Sequence, residues 1–194
     1  MPAPDLTDED GFTLVELLIY TLLLAVVLAI VGGFMINSIK SSNTVRTTSE
    51  ASTEGQQIAG SLQAGIQNAT AVTGTDYSDG SALVIARVAT RGTSLNWACE
   101  AWYYSAEDKA VYTKTSYPAA AITVPSGGPK GSWQLLGDGV VPVLGGTGPL
   151  ALHGTSYSAN LDIDLPVTNA APVHFELSAY MRTDPSELVS APCF

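Results

Sequence analysis

A single carboxylate, that of Glu16, lies within the most apolar stretch of this 194-residue chain. The 23 residues at positions 12–34 include no other side chain that is charged at neutral pH. A helix of this length can cross the hydrocarbon core of a bilayer, which is about 30 Å thick. A carboxylate at the centre of that core costs about 2.5–3.5 kcal/mol, but Glu16 is close enough to the start of the run to lie near an interface.

Few other residues have the types and spacing that catalysis requires. The only histidines are His153 and His174, and neither is accompanied by the nucleophile-elbow pattern of a hydrolase. His174 alternates with apolar residues and is expected on the exposed face of a strand. We therefore expect a protein that is not an enzyme, with no catalytic residues and no cofactor.

Two pairs of aspartates are candidates for a calcium site. Asp162 and Asp164 fall on one face of a predicted strand, and Asp76 and Asp79 lie in a turn-like segment. Neither pair has the regularly spaced oxygen ligands of an EF-hand loop. Acidic residues on solvated faces and in turns need no ion, so we expect no metal site.

The chain is acidic, with a formal net charge of −10 and only eight Lys and Arg residues. This balance makes it a poor electrostatic partner for nucleic acid, and no nucleic-acid partner is expected. The first bases, Lys40 and Arg46, follow the apolar run, whereas residues 1–11 carry four acids and no base. By the positive-inside rule alone, the segment after the run would be the cytoplasmic one.

The apolar run is predicted to continue as a more polar helix outside the membrane. Ile58, Leu62 and Ile66 recur at i, i+4 and i+8 and form one apolar stripe. We predict a membrane helix at residues 12–39 and its continuation at residues 40–71, with a total length of about 90 Å.

Gly32 and Gly33 interrupt the otherwise strongly helix-forming apolar run. Each glycine in a helix interior costs about 1 kcal/mol relative to alanine, so the pair is a candidate weak point. The alternative is close packing against a neighbouring helix, for which small residues are common in membranes.

Residues 72–194 are predicted to form an antiparallel β domain, which makes the fold class α+β. Strands with one apolar and one polar face fit a sheet that is packed on one side, with the helix stripe as its cover. Trp102 and Tyr104 share a strand face, where they form either a carbohydrate or protein contact patch or part of the core. The segments with strand-like patterns are 83–89, 97–104, 111–114, 132–136, 161–165 and 173–182.

The run GFTLVELL at residues 11–18 resembles the processing site of type IV prepilins and type II secretion pseudopilins. A cut site, an aromatic residue, a carboxylate and an apolar run all stand in register. The resemblance implies a leader at residues 1–11, cleavage by a prepilin peptidase after Gly11, and N-methylation of Phe12 as the new N-terminus. It also implies that Glu16 serves in assembly and that the N-terminus lies on the cytoplasmic side.

The same resemblance implies a type IV pilin-like fold and a structural subunit of a type IV pilus or a type II secretion-like pseudopilus. Its partners would be the prepilin peptidase, the assembly platform, membrane lipid before assembly, and other pilin subunits through helix–helix packing. The chain would first be a single-pass cell-membrane protein with an extracytoplasmic C-terminal domain, and then part of an extracellular filament. The alternative is a membrane-anchored extracellular binding or adhesion module.

Weaker similarities favour a minor subunit over a major one. Residues 99–104, residues 133–140 and a final strand that ends in Arg182 are similar to PilW-like minor pilins or J-type pseudopilins. The length of the chain points the same way, because major subunits tend to be smaller.

Cys99 and Cys193 are the only cysteines, and both follow the membrane segment. An even number of cysteines outside the cytoplasm allows a disulfide. The bond would close a loop of about 95 residues and hold the C-terminal tail, which is worth about 4–5 kcal/mol in the chain-entropy model. Two unpaired thiols are the alternative.

The resemblance predicts cleavage between Gly11 and Phe12, because the peptidase needs a small residue before the cut. Gly11→Leu is expected to leave the full-length precursor in the membrane, whereas the processed wild-type chain should begin at Phe12. N-terminal sequencing of the membrane fraction checks both outcomes. A mature chain that begins after residue 30, as for an ordinary signal peptide, would contradict the prediction.

Overall fold

The computed structural model describes residues 13–90, 96–125, 127–129, 131–143, 152–182 and 193–194. Within these ranges it contains one helix and nine strands, which confirms the predicted α+β class. The chain divides into two compact units, Met1–Val45 and Arg46–Phe194, and each is described by itself. The elements are α1 (Leu14–Gln67), β1 (Ala69–Asp76), β2 (Ala82–Thr90), β3 (Asn96–Ser105), β4 (Ala110–Ser116), β5 (Gln134–Gly137), β6 (Val141–Pro142), β7 (Leu152–Gly154), β8 (Ser158–Leu165) and β9 (Val173–Tyr180).

Helix α1 ends at Gln67, four residues before the predicted end at Ala71. The side chain of Asn68 donates a hydrogen bond to the carbonyl of Ala64 at 2.8 Å and so satisfies one of the last helical acceptors. Strand β1 begins at the next residue and is rich in β-branched side chains, which favour an extended backbone. The predicted continuation of the helix through residues 68–71 was therefore wrong.

The strands form two antiparallel sheets rather than the single sheet that the sequence predicted. The first has the order β1-β2-β3-β4-β5, and the second has β8 at its centre, with β6 and β7 on one side and β9 on the other. The backbones of β1 and β7 come into close contact at Gly74 and Gly154, where neither residue has a Cβ that would separate them. The sequence did not indicate β6 and β7, because two and three residues are too short to show a period.

One face of the first sheet packs against the outer part of α1. The predicted apolar stripe of Ile58, Leu62 and Ile66 is at most 1% exposed. Trp102 is also buried, and its indole N–H donates a hydrogen bond to the hydroxyl of Ser61 at 3.0 Å. Trp102 and Tyr104 are thus core residues beneath the helix, and the alternative of an exposed contact patch was wrong.

The opposite face of the first sheet is buried as well, which differs from the predicted one-sided packing. Leu83, Ile85 and Tyr103 form a second apolar cluster on this face, together with Trp133. The residues that cover this face come from loops and from the C-terminus, and the sequence of these segments has no period that would predict their position. Strands β2 and β3 therefore bury apolar side chains on both faces, since each face is covered by another part of the chain.

The second apolar cluster also contains a disulfide between Cys99 and Cys193. The two Sγ atoms are 2.08 Å apart and the two Cα atoms are 5.6 Å apart. The backbone N–H of Ile122 donates a hydrogen bond to the carbonyl of Cys193 at 3.3 Å. The C-terminus is thereby held against β3 by one covalent bond and one backbone contact.

Glu100 is an exception on the helix-facing side of β3. Its carboxylate is half-buried beside Gly65, and within the described residues no hydrogen bond or ion pair reaches it. Burial raises the pKa of Glu100 above its ordinary value of 4.5, because the charged form loses hydration. The folded protein therefore binds the proton more tightly than the unfolded chain does.

Two glycines of α1 provide a matched test of the helix–sheet packing. A Cβ at Gly65 would overlap the Trp102 indole, whereas a Cβ at Gly60 would meet no other group within 4 Å. Gly60→Ala is expected to stabilise the globular unit by about 0.5–1 kcal/mol through helix propensity. Gly65→Ala is expected to destabilise it by about 1–3 kcal/mol through overpacking. Urea unfolding of the full chain in detergent, followed by tryptophan fluorescence, measures both, and an equal effect at the two positions would contradict this packing.

Because the pKa of Glu100 is raised, replacing this residue with glutamine should increase the stability of the folded protein in a pH-dependent way. Stability from a raised carboxyl pKa is fully present below the unfolded value and is lost as pH rises through the folded value. Glu100→Gln should therefore unfold at a higher urea concentration than the wild type at pH 7, and the difference should vanish below about pH 4.5. Glu176→Gln, at an exposed position on β9, is the charge-matched control. If Glu100→Gln increased stability equally at pH 7 and below about pH 4.5, the increase would come from the new amide and not from loss of the charge.

Candidate functional site

The first unit presents an apolar helical surface that no described residue of the chain covers. Between Leu14 and Ile39, the large apolar side chains of α1 are 49–77% exposed. An 18-residue window of α1 has a mean hydropathy of 2.8 and no buried residue, so the helix is long and apolar enough to cross a membrane by length and composition. Apolar surface of this extent in water indicates a site for lipid or for another protein.

Thr13 begins the helix and positions Glu16 in its first turn. The hydroxyl of Thr13 accepts a hydrogen bond from the backbone N–H of Glu16 at 3.3 Å, and its carbonyl accepts one from Leu17 at 3.1 Å. Threonine at the N-cap with glutamate three residues later is the pattern of a capping box. A negative charge in the first turn also interacts favourably with the helix dipole. Glu16 is thus compatible with helix formation despite the apolar sequence around it.

Tyr20 is a partner of Glu16 that the sequence analysis missed. Its hydroxyl donates a hydrogen bond to Oε1 of Glu16 at 3.1 Å, one helical turn away. Side chains at i and i+4 lie on the same helix face, so this spacing was the signal that could have found the pair. A hydroxyl donor lowers the cost of keeping a carboxylate in apolar surroundings.

Of the other predicted positions in the N-terminal region, one pair lies outside the described residues and one pair lies within α1. Gly11 and Phe12, the predicted cleavage and methylation site, lie outside the described residues. Gly32 and Gly33 lie within α1, which continues through them as regular helix, and a Cβ at either would meet nothing within 4 Å. Their role as a weak point stays a prediction, and their surface is available to another helix.

Three of the four candidate calcium ligands have hydrogen-bond partners. Asp76 lies 3.0 Å from the imidazole of His153, and Asp164 lies 3.1 Å from the exposed imidazole of His174. Asp79 accepts hydrogen bonds from the backbone and side chain of Ser81. In the part of the chain that the structure describes, no group of three or more His, Cys, Asp and Glu side chains is arranged to hold a metal ion.

Comparison with known proteins gives a match that overlaps the N-terminal part of α1. Residues 7–32 match the family model described as "Prokaryotic N-terminal methylation motif". The chain carries this methylation motif. The motif includes Glu16 and Tyr20, and it supports the type IV prepilin and pseudopilin family that residues 11–18 resemble.

The methylation motif supports a precursor of the pilin type, anchored in a membrane by its N-terminal helix. It implies processing by a prepilin peptidase and assembly with other pilins. No curated protein and no solved structure matches the chain. The match is confined to the N-terminal segment.

Proposed function

We propose that the chain is a structural subunit of a type IV pilus or a type II secretion-like pseudopilus. A prepilin peptidase cleaves it after Gly11, Phe12 is N-methylated, and the mature chain is then assembled into an extracellular filament. The observation that carries this proposal is the coincidence of the methylation motif with an uncovered apolar helix. The motif alone concerns processing, and the helix surface adds a requirement for partners.

The apolar surface of α1 accounts for both stages of this life cycle. Before assembly, lipid covers the side chains between Leu14 and Ile39, which are exposed in the isolated chain. In the filament, the same side chains pack against the corresponding helices of other subunits. The hydrophobic surface buried is similar in the two states, so assembly requires a specific interaction that favours the filament.

Glu16 supplies that specific interaction. A carboxylate in a helical core is costly unless it is paired. Following the family resemblance, its partner is the N-terminal amine of Phe12 in a neighbouring subunit. The hydrogen bond from Tyr20 holds the carboxylate on one helix face and thereby orients it for that amine. Tyr20 is a positioning residue in this scheme, because it acts through Glu16.

Within this class, we propose that the chain is a minor subunit. We also propose that it has no enzymatic activity. The loose similarity to PilW-like or J-type proteins and the 194-residue length support the first assignment. The second rests on the lack of a nucleophile-elbow pattern around His153 and His174. The competing function is a membrane-anchored adhesion module, in which α1 would be only a tether.

Substitutions on one helix face separate the filament subunit from the tethered module. Glu16→Val is expected to insert into the membrane normally but to be depleted at least about tenfold from sheared filaments, because the Phe12 amine of the neighbouring subunit loses its carboxylate partner. Tyr20→Phe should show a smaller depletion, since the carboxylate remains but its orienting donor is absent. The measurement is the ratio of filament to membrane signal on immunoblots.

Thr21→Val is the matched control, because it also replaces a polar residue of the helix with valine. Within the described residues its hydroxyl donates only to the carbonyl of Leu18, so incorporation should equal that of the wild type. Intact mass should show a chain that begins at Phe12 with one added methyl group. Normal incorporation of Glu16→Val would contradict the assembly role and favour the tether.

A further inference from the structure

A cavity of about 790 Å³ lies on the side of the first sheet that faces away from α1. It is bounded by the turn between β1 and β2, the turn between β3 and β4, and the loop around Pro125. This volume is in the range of sites that hold a small molecule or one or two amino-acid side chains. Nothing in the filament proposal uses it.

Tyrosine rings form one wall of the cavity. Tyr77 and Tyr103 meet edge to face, with ring centroids 6.1 Å apart, and Tyr112 lines the same space. Tyr103 is 7% exposed and also packs against Trp133, with centroids 6.0 Å apart, so its ring is fixed in place. A preformed aromatic wall has the negative π-face that attracts organic cations.

The charged side chains that line the described part of the cavity are all acidic. Asp79, Glu107 and Asp108 line it, and none of the described lining residues is a lysine, arginine or histidine. Two of the carboxylates are held by neighbouring donors, since Ser81 donates to Asp79 and Ser105 and Tyr112 donate to Asp108. Within the described residues, Glu107 has no hydrogen-bond or ion-pair partner.

The pKa values of two of the tyrosines are raised, first by burial and then by nearby groups that include the carboxylates. Burial, the adjacent Tyr103 and the Asp79 carboxylate raise the pKa of Tyr77. Burial raises the pKa of Tyr112 as well, with the Asp108 hydrogen bond and charge adding to it. A further negative charge is therefore unfavourable here, and it is the nearby carboxylates that favour a cation.

We propose that this cavity binds an organic cation, a guanidinium or alkylammonium group on an apolar stem. The tyrosine wall would stack against the stem and the cationic head, and the carboxylates would accept charge-assisted hydrogen bonds. A neutral ligand would leave the negative charge of the three carboxylates unbalanced and Glu107 without a partner. A bare metal ion is disfavoured, because no group of three or more described acidic, histidine or cysteine side chains converges on one point.

Two isosteric probes test the charge requirement. The full chain in neutral detergent is titrated by calorimetry with N-acetyl-argininamide and with N-acetyl-citrullinamide, which has nearly the same shape but no charge. We expect the cationic probe to bind at least about tenfold more tightly, a difference of about 1.4 kcal/mol. Equal binding of both probes, or no binding of the cationic probe at millimolar concentration, would overturn the proposal.

Variants locate the binding in the cavity. Glu107→Gln should weaken binding of the cationic probe by about threefold or more, since one accepting charge is lost. Tyr77→Leu should weaken it to a similar extent through loss of a ring. Glu176→Gln removes the same charge at an exposed position on β9 and should leave binding unchanged. An equal loss in Glu107→Gln and Glu176→Gln would show a non-specific response to net charge and overturn the site.

The source of the cation is distinguished by a third probe, a capped Gly-Arg-Gly peptide. Tighter binding of the peptide than of N-acetyl-argininamide identifies an arginine side chain of a protein partner as the ligand. Equal affinity identifies a free small cation. Both results uphold a cation site, and both are independent of whether the chain enters a filament.

Discussion

One constraint governs the rest of this structure: the N-terminal part of helix α1 needs an apolar environment on all sides, whereas its C-terminal part needs one on a single face. The side chains of α1 between Leu14 and Ile39 are apolar all round and find no cover in the described part of the chain. From Ala51 to Ile66, only one stripe is apolar, and it is buried against the first sheet. The first part therefore demands lipid or other subunits, whereas the second part completes the core of its own domain.

The buried stripe shows how closely the helix and the sheets approach. Gly65 lies against the Trp102 indole and Gly55 lies against the Phe175 ring, so two glycines provide room for two aromatic side chains. The Trp102 indole N–H reaches Ser61, which satisfies the one polar atom that the tryptophan brings into the core. The disulfide and Trp133 cover the other face of the first sheet, so the domain has three layers at β3. Because Tyr103 is packed against Trp133 in this layer, it forms a well-packed wall of the acidic cavity.

Charge is used sparingly but with clear placement. Glu16 is the only charge in the apolar part of α1, and its contacts to Thr13 and Tyr20 keep it compatible with a helix. Glu100 in the globular unit is half-buried, and burial raises its pKa, while within the described residues no donor reaches its carboxylate. The acids of the Tyr77 cavity are partly held by hydroxyl groups and face a space that has the volume for a ligand. Assembly and ligand binding would thus use separate surfaces of the protein.

The sequence by itself determined the features that depend on local order and period. The methylation motif, the apolar length of the helix, the stripe of Ile58, Leu62 and Ile66, and most strand positions are all readable because neighbouring residues share one environment. Only the tertiary structure decided that there are two sheets, that Trp102 is beneath the helix, and that β2 and β3 are buried on both faces. These outcomes depend on covers from distant segments, such as the disulfide-bound Cys193 against β3, and no local pattern encodes which segment will arrive. The acidic cavity belongs to the same group, because its tyrosines and carboxylates come from two turns and from strands β3 and β4, and the β1–β2 turn meets the others only after folding.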